Sequence, residues 1–132
     1  MIGKLDDYLR FNETALSLRS QRQELLASNI ANADTPNYKA RDIDFSNALR
    51  SALATTAQSH IANAPVAADG KALPDGTPVL YRTVSQGAVD GNTVDMDTER
   101  TQFADNALRY EAGITMINHQ IRGLMAAIQN GQ

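Results

Sequence analysis

Two histidines, a set of clustered carboxylates and several serines are the residues in this chain that could do chemistry. His60 and His119 lie far apart in sequence, His60 in a stretch of small polar residues and His119 inside a long periodic segment, so neither has a partner for a metal or an acid–base pair. Asp90, Asp95, Asp97 and Glu99 suggest calcium, but the spacing lacks the glycine and the closing glutamate of a calcium loop. The start of a helix already accounts for Asp95, Asp97 and Glu99, where carboxylates cap free N–H groups and favour the positive end of the helix dipole. No glycine-rich phosphate loop occurs, and no serine stands in a nucleophile elbow. Cysteine is absent, which removes disulfides, thiol catalysis and cysteine-based metal sites. A pair of carboxylates for glycan hydrolysis is not singled out by any spacing. The expectation is a protein with no catalytic residues, no cofactor, no metal and no small-molecule substrate.

The elements carry more information. Prolines and glycines crowd the middle: Pro65, Pro74, Pro78, Gly70, Gly76, Gly87 and Gly91 lie between 65 and 91, and the flanks hold few of either. From Phe103 the apolar residues Ala107, Tyr110, Ile114, Ile117, Ile121, Leu124 and Ile128 follow at steps of four and three without a miss. That is a heptad seam on a helix from about 96 to 129, roughly 50 Å long at 1.5 Å per residue. A rod of that length cannot bury its own stripe. Leu108 and Met116 lie off the seam, either as scattered surface residues or as a second contact.

Residues 4–31 read as a second helix. Leu5, Leu9, Leu16, Leu26 and Ile30 form one stripe and Phe11, Leu18 and Leu25 another, merging into an apolar sector of roughly 200°. So wide a sector implies more than one neighbour. Arg19, Arg22 and Gln23 sit in or beside it, and either fix the register of the packing or reach past it to water on apolar stems. A short helix is expected over 43–54, with Phe45, Leu49 and Leu53 on one face and Asp44 at its cap. Coil is assigned to 55–64, a strand to Val79–Val84, and a hairpin turn to Asp90-Gly91-Asn92 between Ala88-Val89 and Thr93-Val94. Asp69-Gly70 and Asp75-Gly76 read as further turns. The fold class is therefore mainly α: long terminal helices pairing as coiled coil, a short third helix, and a small irregular or β-hairpin insert. The segments are 1–33, 34–64, 65–95 and 96–132.

Aromatic residues make up only 5% of the chain and tryptophan is absent, so a large globular core would be poorly filled. The formal charge of −3 with no basic run argues against nucleic acid as a partner. The N-terminus lacks the apolar stretch and cleavage site of a secretory signal, and no apolar run is long enough to span a membrane. Any export is expected to leave the N-terminus uncleaved.

The first helix runs into Asn29-Ile30-Ala31-Asn32-Ala33-Asp34-Thr35-Pro36-Asn37-Tyr38-Lys39-Ala40-Arg41-Asp42. Pro36 disfavours helix at Thr35. Pro36-Asn37 suits the centre of a type II turn, which needs a positive φ at its second position. Asn29 and Asn32 can bond the freed carbonyls at the helix end or a neighbouring chain, and Tyr38 is an interface anchor. This segment resembles the N-terminal signature of the bacterial flagellar rod, hook and related axial proteins, N-I-A-N followed by T-P-G-Y, with Asn37 where that family usually has glycine. The continuation K-A-R-D-I-D-F-S-N-A-L looks most like a proximal rod member.

The resemblance implies a structural subunit of the periplasmic, torque-transmitting rod, exported by the flagellar type III apparatus. It implies contacts with copies of itself, with other rod proteins and with the export-gate and MS-ring adaptor protein. The assembly interface would comprise Leu9, Leu16, Leu18, Leu25, Leu26, Asn29, Ile30, Asn32, Thr35, Pro36 and Tyr38, with Phe103, Tyr110, Ile114, Ile117, Ile121, Leu124 and Ile128 from the second helix. Early axial substrates carry an export-gate element of the form Phe-x-x-x-hydrophobic, which Phe45 and Leu49 match; the same spacing is one plain helical turn. Another rod subunit, or a soluble helical adaptor or export chaperone, is the alternative.

Overall fold

The computed structural model describes residues 2–57, 72–73, 76–83 and 87–131. The element order is α1 (Ile2–Ala31), β1 (Arg41–Asp42), α2 (Phe45–Ala57), β2 (Leu80–Tyr81) and α3 (Met96–Asn130). Helices α1 and α3 pack antiparallel along their lengths, with Asn29 bonded to Glu99, Gln23 to Asn106 and Tyr8 to Gln120. Helix α2 lies on a second face of α1. Leu18 and Leu25 of α1, Ile43, and Ala48 of α2 are buried together there, with Phe45, Leu49, Leu73 and Val79 packed around them. The wide apolar sector of α1 thus meets two neighbours within its own chain. Leu18 and Leu26, both almost fully buried, each contribute about 1.5–3 kcal/mol.

Local signals set the helix ends. Asp44 caps α2 through Asn47 N–H at 3.1 Å, and Asp95 caps α3 by accepting from the N–H groups of Asp97 and Thr98. Helix α1 stops at Ala31, where the Asn32 side chain donates to the Ser28 carbonyl at 2.8 Å. The following turn closes with Tyr38 N–H on the Thr35 carbonyl. Asn37 at its centre has φ 61°, the left-handed conformation that asparagine tolerates and glycine adopts freely. Asn37→Gly is therefore expected to leave swarming normal and to change unfolding free energy in urea by less than about 1 kcal/mol. A non-swarming but stable Asn37→Gly variant would show that the side chain does more than shape the turn.

The middle of the chain departs from expectation. Of the expected strand 79–84, whose Val84 lies outside the described residues, Leu80–Tyr81 forms a strand, and it pairs antiparallel with Arg41–Asp42, some forty residues upstream. The turn at 88–91 forms, with Gly91 N–H on the Ala88 carbonyl and φ 75° at Gly91, but no hairpin grows from it. The turn and its flanks find their backbone partners elsewhere. They bond instead to the segment after α1: Asn37 N–H to Asp90 O at 2.9 Å, and Thr93 N–H to Tyr38 O at 3.0 Å. Helix α2 runs on to Ala57, past the expected coil boundary. The Asp69-Gly70 turn and His60 lie outside the described residues, as does Asp75 of the Asp75-Gly76 turn; Gly76 has φ 85°.

Candidate assembly surface and the polar core behind it

The contact between α1 and α3 is not centred on the heptad seam. It follows Glu99, Asn106, Gly113 and Gln120, a second heptad line made of polar residues and a glycine. At 3.6 residues per turn this line lies about 60° round α3 from the middle of the seam. Each member meets α1 directly. Glu99 accepts from Asn29 at 3.1 Å. Asn106 donates to the Arg19 carbonyl at 2.8 Å and to Gln23 at 2.7 Å. Gly113 lets Leu16 come so close that its Cδ2 lies 2.8 Å from where a Cβ would stand. Gln120 bonds the Tyr8 hydroxyl.

The seam is consequently split along its length. Phe103, Tyr110, Ile117 and Leu124 form its half-buried edge toward α1. Ile114, Ile121 and Ile128 form the other edge, 37%, 43% and 69% exposed. Met125, also exposed at 54%, extends that outer edge. Of the sequence-predicted residues on α1, Leu18, Leu25, Leu26 and Asn29 are buried inside the chain, and Leu9, Leu16 and Ile30 are half-buried. Asn32 and Tyr38 are half-buried, while Thr35 and Pro36 stand at the surface. Phe45 and Leu49 are half-buried against Leu18 and Leu25.

Behind the surface lies a polar cluster that joins four segments. Asp42 on β1 accepts two hydrogen bonds from Arg22 of α1, at 2.9 and 3.0 Å. It accepts a third from Arg82, just past β2, at 2.7 Å. Arg82 also pairs with the fully buried Glu99 of α3. Asn29 completes the cluster. It donates to Glu99 and to the Arg41 carbonyl, and accepts from the Arg41 N–H and the Tyr38 hydroxyl. Two arginines and two carboxylates make the cluster formally neutral, and good geometry offsets the cost of taking these charges out of water. Burial works against ionisation of Asp42, yet its bonds to Arg22, Arg82 and the Ile43 N–H hold its carboxyl below the ordinary value. For Glu99 burial wins over Asn29 and Arg82, and its carboxyl is pushed up. The Arg19 guanidinium stacks over the Phe45 ring at 4.1 Å. Arg22 and Arg19 are therefore engaged inside the fold rather than extended to solvent.

A family model described as flagella basal body rod protein matches residues 9–39, from the third turn of α1 to just past the Pro36-Asn37 turn. The FlgB basal body rod protein of Salmonella typhimurium is 48% identical over 143 residues, covering 99% of each chain. That of Escherichia coli is 48% identical over 144 residues with the same coverage. The Cereibacter sphaeroides FlgB is 46% identical over 128 residues, covering 93% of this chain and 94% of its own. The chain belongs to the FlgB family of flagellar basal body rod proteins.

In this rod-family chain the sequence pattern pointed neither to the polar line of α3 nor to the roles of Arg82 and Asn92. Glu99 was assigned to the helix cap, but the cap is Asp95, and Glu99 turns inward one turn later. Arg82 carried no local signal, because its partners come from α3 and β1. Asn92, 4% exposed, was read as a turn residue. It holds the turn that follows α1, from sixty residues away. Its amide donates to the carbonyls of Asn32, Ala33 and Thr35 at 3.0, 2.9 and 2.8 Å. Asn92→Asp would set a carboxylate against those three oxygens. It is expected to cost about 3 kcal/mol in urea unfolding, more than Asn92→Ala, because it adds repulsion to the lost hydrogen bonds. Equal losses for the two variants would mean that only the shape of the side chain matters.

Proposed function

We propose that this chain is a structural subunit of the bacterial flagellar basal body rod that assembles through the outer edge of the α3 seam. The observation that carries this reading is the offset between the two heptad lines. The intrachain contact uses the polar line, so the isoleucine edge is left for helices of other subunits. Side-by-side packing of long helices resists torsion because the seams must shear together, and subunits related by a screw make contacts that do not close, which yields a rod. Family membership supports assembly with other rod components.

The terminal segments 1–33 and 96–132 form the core of the rod. Thr35, Pro36 and the Tyr38 ring lock one copy to the next at the end of α1. The subunit sits in the proximal, periplasmic rod, between the adaptor protein below and other rod proteins above, and performs no catalysis; its buried carboxylates serve in holding the helices. It leaves the cell interior through the flagellar type III apparatus with its N-terminus intact. Phe45 and Leu49 are packed against α1, so an export gate that reads them meets the chain before α2 has docked. Deleting the gene tests the whole reading. Basal bodies isolated from the deletion strain are expected to show rings without rods, and the cells not to swim. Intact rods in that strain would overturn it.

A further inference from the structure

The side of the α1–α3 pair away from α2 carries a groove of about 550 Å³, lined by Ser20 and Gln23 of α1 and by Ala107, Leu108, Tyr110 and Glu111 of α3. Ser20 lies about 150° round α1 from the Leu18–Leu25 edge that α2 covers. Leu108 is 68% exposed on the groove wall. Ala107 and Tyr110 belong to the heptad seam, so the groove opens directly onto the exposed edge formed by Ile114, Ile121 and Ile128.

The charges along α3 are divided. From Asp95 to Glu111 the chain carries five carboxylates and two arginines, and from Ala112 to Gly131 it carries Arg122 and no carboxylate. Glu111, exposed in the lining of the groove, has no ion pair among the described residues. Arg122 is likewise exposed and unpaired among them. The apolar edge and the one cation of the distal helix therefore match the apolar side chains and the single carboxylate, Glu111, that line the proximal groove.

Resting on the rod-subunit reading, we infer that the distal end of α3 of one copy, Ile121 to Ile128, seats in the proximal groove of a second copy, with Arg122 against Glu111. The two surfaces differ, so the contact is head-to-tail, and along the screw of a rod it repeats without closing. Burial of Ile121, Met125 and Ile128 supplies the association, and the Arg122–Glu111 pair sets its axial stagger. The contact cannot form within one chain. Ser20 lies level with about residue 108 of α3, which is roughly 25 Å along the helix from Met125.

The chain has no cysteine, which allows a direct trap. Cells whose sole copy is the full chain carrying Ser20→Cys and Met125→Cys are grown, and their basal bodies are isolated and oxidised. A ladder of this chain above the dimer, collapsing on reduction and absent from both single variants, is the expected result. Monomer alone in basal bodies of swimming cells would overturn the inference while leaving the rod reading intact, and so would a dimer from Met125→Cys alone, which is tip-to-tip pairing. Absence of the chain from basal bodies would sink the rod reading itself. A charge exchange gives an independent measure. Glu111→Arg and Arg122→Glu are each expected to reduce swarm diameter at least twofold, and the double variant to recover most of it. A double variant no better than the worse single overturns the pairing, including in the event that the cysteine variant does not swim.

Discussion

Ile121→Asp is expected to abolish rod assembly and swimming while leaving the isolated chain nearly as stable as before. Ile121 is 43% exposed and sits on the outer edge of the seam. In the free subunit an aspartate there keeps its water, so unfolding free energy should fall by no more than about 1 kcal/mol. On the proposed contact the same carboxylate would be buried in the assembled rod against apolar neighbours with no partner, at a cost of several kcal/mol. Ile117 does not separate the two effects, because it is half-buried beside α1 and its replacement by aspartate damages fold and assembly together. Urea unfolding of the purified variant, with a count of rods in isolated basal bodies, decides the matter. A stable Ile121→Asp chain that builds normal rods would remove the outer edge as an interface.

The largest effect on the fold is expected at Asp42. Replacing it by asparagine keeps the volume but removes the charge that holds both Arg22 and Arg82, whose side chains are only 15% and 20% exposed. Breaking a buried pair from one side leaves the other charge uncompensated, and a loss of about 3–5 kcal/mol follows. The loss propagates, because Arg82 is also the partner of Glu99 and the tie between β2 and α3. Urea unfolding near neutral pH measures it. A loss below about 1 kcal/mol would show that the cluster contributes little to holding the helices.

The same cluster predicts a pH dependence in which two carboxylates oppose each other. Asp42 is held below its ordinary value in the folded chain. Its stabilisation is fully present above the unfolded value near 4 and is lost as pH falls through the lower folded value. Glu99 is pushed up, so the folded chain holds that proton more tightly than the unfolded chain. Its contribution is favourable in acid and declines as pH rises from its ordinary value through the raised one. Glu99→Gln is expected to flatten the decline on the alkaline side of the optimum, and Asp42→Asn the loss on the acid side. Unchanged slopes in both variants would exclude the cluster as the source.

Much of this was legible in sequence, and the rest was not, for reasons that differ by residue. Both terminal helices follow from periodicity and caps, since backbone hydrogen bonds and the sign of the hydrophobic face are local. The end of α1 follows from Pro36, which acts on the residue before it, and the left-handed turn follows from Asn37. The signature Asn29 to Asp42 carried the family. The β pairing was not legible, because two-residue strands hold no periodicity and the partners lie forty residues apart. Asn92 was not legible either, since a side chain delivered from across the chain leaves no pattern near the turn it holds.

The heptad seam found at the outset was real, but its use was decided only by the tertiary structure. A seam in sequence says that one face of α3 must be covered; it does not say by what. Packing resolved this by placing α1 on the neighbouring line of Glu99, Asn106, Gly113 and Gln120. There hydrogen bonds and the glycine's small size let the helices approach, and the exposed isoleucine edge was left over. The sequence by itself determined that this chain is two long helices and a turn of the flagellar axial type. The structure alone showed which stripe is spent inside the chain and which remains, because polar contacts between distant segments carry no periodicity that apolar spacing can reveal.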